Sequence, residues 1–261
     1  VALGAADTFT VDLYGDALIN LALSDANAGQ LRTVDGTPVT SLVSNAGRIE
    51  TDDGQTVLMT ARGAKHVLDD LINMSGTIKA DTAVEQHGRI LLLAEGGTVD
   101  VTGTLGAQGP RGGTIEVLGE QVHLGGSAIL DASGTSGGGT VHVGGAFQGQ
   151  GDTYRSSETL VDAGAVLRAN ATGEGHGGEV VVWSDGHTRF EGAVDARGGT
   201  TSGDGGRLEV SGKGTLDFLG QADASAANGQ AGSLLLDPAF MTVGAAEAST
   251  VTRVLRTGTS A

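Results

Sequence analysis

Pairs of glycines, each followed by a short alternating apolar stretch, return along this chain at nearly constant intervals. GGTIEVLGEQVHLGGSAILDASG begins at Gly112, GGTVHVGGAF at Gly138, GGEVVVWSDGHTRFEGAVDARGG at Gly177, GGRLEVSGKGTLDFLGQADASAANG at Gly205 and AGSLLLDP at Ala231. Successive offsets are 26, 39, 28 and 26 residues. A fixed period of this length marks one supersecondary unit that cannot bury its apolar face alone and must stack on its neighbours. The long interval contains FQGQGDTYRSSETL, residues 147–160, which reads as a loop inserted into one repeat. Upstream the rhythm is looser, as GQTVLMTARG at Gly54, HGRILLLAEGGTVDVTGTLGAQG at His87 and DTFTVDLYGDALINLAL at Asp7.

Each unit holds three strand-like pieces, such as RLEVS, TLDFLG and QADAS within residues 207–225. Alternation puts Leu208, Val210, Leu216, Phe218 and Ala222 on one face, and each piece is too short for a helix. Three strands and three glycine-bearing corners make one triangular winding, whose strands pair in parallel with those of the next. The expectation is an all-β chain forming a parallel β-helix, a solenoid of eight to ten windings spaced about 4.8 Å apart. Sandwiches and up-and-down barrels would show hairpin turns and not one coil-length period. The solenoid is expected over residues 1–243, with 147–160 as its inserted loop. Residues 244–261 read as a short helix or linker, because Val251, Val254 and Leu255 have helical spacing and Gly258 offers a stop.

At the corners the glycine pairs allow windings to approach backbone to backbone, where side chains would hold them apart. In EVVVWS, Val180 and Val182 face one way and Val181 and Trp183 the other. Trp183 is therefore expected on the outer face, packed beneath the inserted loop, with Phe147, Tyr154 and the stems of Arg155 and Arg168 as candidate neighbours.

Composition narrows the partners. Lys and Arg number 15 against 31 Asp and Glu, a net charge of −16, which disfavours nucleic acid and anionic membrane surfaces. The chain has 46 glycines, 3 prolines and only 3 % aromatic residues, so its core must be built from small side chains. It has no cysteine, which removes disulfides, zinc–thiolate sites and thiol nucleophiles. No run of 18 apolar residues occurs, so the chain is not read as membrane-spanning. It starts at Val1 within the pattern, without a basic and apolar leader, and reads as a segment of something longer.

Superposing the repeats places Lys79, Asp131, Arg168, Asp195 and Asp223 in one column. Asp195 and Asp223, one winding apart, could act as a general acid and base on a polysaccharide. A solvated ladder of mixed sign explains the same column more simply. The histidines His66, His87, His123, His142, His176 and His187 show no metal-ligand spacing. GGTTSGDGGRLEV at Gly198 has calcium-roll residues at the wrong spacing. GEGHGG at residues 173–178 leads into a strand, so it lacks the helix N-terminus that a dinucleotide needs. Asn73 in NMS and Asn170 in NAT match the glycosylation sequon, a short pattern frequent by chance. No catalytic residue, metal ligand or cofactor site is expected. The candidate ligand-binding residues are Tyr154, Arg155 and Trp183, aromatic rings beside polar groups of the kind that suit sugar faces.

The run VHVGGAFQGQGDTYRSSETLVDAGAVLRANATGEGHGGEVVVWSDGHTRFEGAVDARGG, followed by DGGRLEVSGKGTLDFLGQADASAANGQAGSLLLDP, resembles the shaft of filamentous-haemagglutinin-like exoproteins. The combination VVWSDGHTRFEG, LEVSGKGTLDF and LLLDP is its specific part. The likeness covers residues 112–243 strongly and 1–111 loosely, through VALGAADTFTVDLYGDALINLAL and VLDDLINMSGTIKA. Such proteins are large Gram-negative adhesins exported by two-partner secretion. The resemblance implies a right-handed β-helix, a secreted or cell-surface location and an outer-membrane transporter as partner during export. It further implies a non-enzymatic shaft that serves attachment or biofilm formation by projecting binding regions toward a glycan or host-surface protein. The alternatives are a β-helical polysaccharide lyase or hydrolase, and a glycan- or host-protein-binding module that uses the 147–160 loop.

Overall fold

The strand Arg207–Gly212 shows how the chain builds its core. Leu208 and Val210 point inward and are fully buried, while Glu209 and Ser211 face outward. In parallel register Leu208 lies beside Val180 of the preceding winding and Leu234 of the following one. Like residues thus stack on like, and the repeat in the sequence becomes a repeat along an axis. The computed structural model describes residues 2–4, 8–11, 19–22, 37, 41–51, 55–62, 70–80 and 88–243.

Three faces run the length of a parallel β-solenoid. The first stacks Thr56–Arg62, the start of Arg89–Val101, the start of Thr114–Leu124, Thr140–Val143, Glu179–Ser184, Arg207–Gly212 and Ser233–Leu235. The second stacks Ser41–Asn45, Asp70–Met74, the ends of the two long strands, Glu158–Val161, His187–Phe190, Thr215–Phe218 and Phe240–Val243. The third runs from Arg48–Thr51 through Thr77–Ala80, Thr104–Gly106, Ile129–Asp131, Val166–Arg168 and Ala193–Asp195 to Gln221–Asp223. With Ala2–Gly4 pairing in parallel beside Thr56–Arg62 on the first face, seven windings have all three strands among the described residues, and an eighth at the C-terminal end has two, Ser233–Leu235 and Phe240–Val243.

Two departures lie upstream. Within DTFTVDLYGDALINLAL the strands Thr8–Val11 and Ile19–Ala22 pair antiparallel with each other and not as parts of a parallel winding. Arg89–Val101 and Thr114–Leu124 pass round the corner between the first and second faces without a break, which joins those faces into one sheet. The proposed helix near Val251, Val254 and Leu255 falls outside the described residues.

The interior is made of columns. Ile90, Ile115, Val141, Val180 and Leu208 form one on the first face, and Leu105, Leu130, Leu167, Val194 and Ala222 another on the third. Phe190 and Phe218 stack with centroids 5.6 Å apart and planes 5° from parallel. Two inward threonines join this apolar set because each donates to a corner carbonyl: Thr159 to Trp183 O at 2.7 Å and Thr188 to Ser211 O at 2.8 Å. A buried hydroxyl with a partner avoids the cost of an unmet polar group.

The glycine doublets have two separate tasks. The first glycine faces the alanine just after the third-face strand of the following winding. A Cβ on Gly138, Gly177 or Gly205 would overlap the carbonyl oxygen of Ala169, Ala196 or Ala224. The second glycine faces the matching glycine one winding back, so a Cβ on Gly139, Gly178, Gly206 or Gly232 would overlap the carbonyl oxygen of Gly113, Gly139, Gly178 or Gly206. The same second glycines donate their N–H to the column alanines, as from Gly178 to Ala169 at 2.7 Å and Gly206 to Ala196 at 2.7 Å.

Candidate functional site

The interval of 39 residues arises between Val143 and Glu158, where the chain leaves the first face and returns on the second. The insertion therefore covers residues 144–157, and residues 158–160 of the expected loop belong to a strand. Its base is closed by the N–H of Ser156 donating to Gly144 O at 2.7 Å, while the buried Ser156 hydroxyl donates to Gly119 O at 2.7 Å. Positive φ at Gly144, Gln148, Gly149 and Gly151 folds the segment back on the rod. A short 3₁₀ turn at Phe147–Gly149 lies within it.

The insertion lies flat over the outer side of the first face. Val181 and Trp183 point outward yet are buried, with Trp183 only 6 % exposed. The indole sits directly under the loop: an added Cβ would fall 2.7 Å from ring atom Cδ1 at Gly145 and 2.5 Å from Cζ2 at Gly149. The expected covering of Trp183 is thus present, although two glycines supply it. Phe147 instead carries the Arg207 guanidinium 4.0 Å from its ring centroid. Arg168 is no neighbour, because it lies on the third face.

Of the three candidate ligand-binding residues, Tyr154 stands apart. It packs against the outward cluster of Leu58, Leu91 and Leu118 on earlier windings, which Leu93 also flanks. Its hydroxyl accepts from Gly96 N–H at 3.1 Å and donates to Glu120 at 3.3 Å, and burial raises its pKa. Arg155 and Trp183 do come together. Arg155 pairs with Asp185 Oδ2 at 3.1 Å, and the Trp183 indole N–H donates to Asp185 Oδ1 at 3.3 Å. With Gln148, Lys213, Asp237 and Pro238 they line an open cleft of about 470 Å³. It holds charges of both signs and presents little of the indole face.

Glu209 was not picked out by the sequence reading. In RLEVS it reads as an ordinary outward glutamate, but the insertion covers it completely, at 0 % exposed. Gln148 N–H donates to its Oε2 at 2.8 Å, and Oε1 has no partner. Burial raises its pKa, opposed by the Gln148 N–H and the Ser211 hydroxyl and aided by Asp237 and Glu179.

The charged column forms as expected: Lys79, Gly106, Asp131, Arg168, Asp195 and Asp223 follow one another in register. Burial raises the Asp195 pKa, with Asp223 and Asp131 adding to it and Arg197 and Arg168 opposing. Asp131 and Asp223 each accept a backbone N–H two residues on, from Ser133 and Ser225, both at 2.9 Å. These are turn-fixing bonds, the usual structural use of such side chains.

Four histidines meet carboxylates of neighbouring windings or turns. His123 lies between Asp100 at 2.7 Å and Asp162 at 3.0 Å, and His187 between Glu158 at 3.5 Å and Asp217 at 3.1 Å. His142 reaches Glu179 at 2.7 Å, and His176 Nδ1 accepts from the N–H of Asp204 at 3.0 Å. The His142 hydrogen bond, opposed by burial and aided by Arg207, lowers the Glu179 pKa. His66 and His87 lie outside the described residues. Among the described residues no three His, Asp or Glu side chains are arranged to hold a metal ion. Asn170 is buried, and its Oδ1 accepts from Arg197 N–H at 2.7 Å, so it serves as a turn fastener.

No protein-family model and no curated protein sequence matches the chain. Among solved structures, the HMW1 secretion domain from Haemophilus influenzae is similar, with 25 % sequence identity and a TM-score of 0.57. The match covers 78 % of this chain and 50 % of that one, so the chain spans about half the length of the protein it resembles. This agrees with the resemblance read from the sequence, to a β-solenoid of the two-partner-secretion, filamentous-haemagglutinin-like kind.

Proposed function

We propose that the chain is a rigid shaft segment of a secreted, surface-acting exoprotein, exported with the help of an outer-membrane transporter and serving attachment by holding binding regions away from the cell. The observation that supports this reading is the stack of seven three-stranded windings among the described residues, fastened by parallel strand pairing and, from Gly113 to Gly232, by a column of glycines. A solenoid of this kind gives length and stiffness without a convergent catalytic pocket. Similarity to a secretion domain supports export as the route. No helix among the described residues is long and apolar enough to cross a membrane.

The reading is tested by co-expressing the chain, behind an export leader, with a two-partner outer-membrane transporter. Transporter-dependent release into the medium is expected, and release that ignores the transporter would refute the export route. Beads coated with the chain alone should fail to adhere to host cells or glycans, since the shaft projects contacts made elsewhere. The non-enzymatic reading predicts no turnover of acidic polysaccharides. Turnover lost in both Asp195→Asn and Asp223→Asn would replace it with the lyase or hydrolase alternative.

The cleft at Arg155, Trp183 and Asp185 supports a subordinate reading, a small polar ligand such as a glycan held beside the insertion. A glycan array probed with the chain and with a variant lacking residues 145–155 tests it. Signal that vanishes with the deletion is the expected outcome under that reading, and a blank array with the intact chain rejects it.

A further inference from the structure

The insertion carries a buried acid that the shaft role does not use. We propose that residues 144–157 form a strap that closes over the outer side of the first face when Glu209 is protonated and loosens when Glu209 ionises.

Three features of the geometry support this. First, the strap is a separate unit: its two ends already meet through Ser156 N–H and Gly144 O, so it can lift without opening the winding beneath. Secondly, the strap covers Glu209 and gives it a backbone hydrogen bond from Gln148 at 2.8 Å; the neighbouring Ser211 hydroxyl also favours the ionised form, but Oε1 has no partner within hydrogen-bond geometry and burial outweighs both donors. A carboxylate out of water with an oxygen unmet is costly, whereas a carboxylic acid in the same place carries no charge. Thirdly, the surrounding charges do not compensate. Asp237 and Glu179 face Glu209 with like charge, and Arg207, on the same strand, is committed to Glu179 and to the ring of Phe147. His142 is likewise committed to Glu179. Arg155 pairs with Asp185 across the neighbouring cleft, which Lys213 also lines.

The sign follows from linkage. In the lifted strap Glu209 is solvated and ionises in the ordinary glutamate range near pH 4.3, about the usual value. In the closed strap it holds its proton to higher pH. Closure is therefore strongest below the ordinary range and weakens as pH rises through the raised value.

Trp183, the single tryptophan, lies under the strap and reports on it. The experiment is acrylamide quenching of Trp183 from about pH 4 to pH 8, with far-ultraviolet circular dichroism to confirm that the solenoid stays folded. In the unaltered chain the open-to-closed ratio should rise by up to about tenfold per pH unit within the window. Glu209→Gln should hold the strap closed and flatten the curve, and His142→Gln should leave the rise in place. A flat curve in the unaltered chain, or an unchanged rise in Glu209→Gln, overturns the proposal. If Glu209→Gln does not fold, the Glu209 carboxyl carbon and the Trp183 indole N–H are followed by NMR in the unaltered chain. One shared midpoint supports the strap, and separate midpoints overturn it.

Discussion

At Gly178 a single methyl group would have nowhere to go. The Cβ would meet the carbonyl oxygen of Gly139, a backbone atom fixed by pairing on both sides, so neither can move without parting two windings. Gly178→Ala is expected to destabilise the chain by about 1–3 kcal/mol or more, the range for overpacking a rigid site, read as a lower urea midpoint. Gly151 shows the converse. It has positive φ, but nothing lies within 4 Å of its added Cβ. Gly151→Asn should therefore shift the midpoint little, since asparagine tolerates that backbone and the space is open. The sequence made both residues look alike, because glycine is chosen for close approach and for conformation with the same letter. Only the neighbours one winding away separate the two reasons.

Among elements, the strand triplets were legible because alternation of period two and the offsets of 26 and 28 residues leave few other folds. The stacked pair Phe190 and Phe218 follows from that register, and Phe218→Ala should cost about 3–5 kcal/mol, as a large cavity in a core does. The same register brings His123 between Asp100 and Asp162. Burial there opposes protonation, but hydrogen bonds to Asp162 and Asp100 outweigh it and raise the His123 pKa. Its stabilising contribution is full below the unfolded value near pH 6.5, about that of free histidine, and is lost as pH rises through the raised value. His123→Gln should therefore flatten the fall in urea midpoint between about pH 6 and pH 8. The insertion was legible as a long interval, but its bounds shifted by three residues because ETL can be read as loop or strand. Where it would lie was not legible. Glu209 is buried where the insertion folds back and Gln148 N–H reaches it, whereas alternation alone assigns it to water.

For the whole molecule, each winding touches only its neighbours, so stability should be close to a sum of winding and interface terms. Removing residues 207–243 should leave the earlier windings folded, with a smaller urea m-value in proportion to the surface lost. Collapse of the entire chain on that truncation would contradict nearest-neighbour stacking. The upstream rhythm read as a winding a stretch whose described strands, Thr8–Val11 and Ile19–Ala22, pair antiparallel with each other, because alternation alone does not tell a parallel neighbour from an antiparallel one. By itself the sequence determined the period, the inward residues, the charged column and the parallel stack, since all of these are local alternation repeated at one spacing. Tertiary structure alone decided what covers the outside. The burial of Trp183 and Glu209 and the closure of the insertion depend on where a loop lands across several windings, and that position is set by contacts between residues far apart in the chain, such as Gln148 with Glu209, 61 residues on.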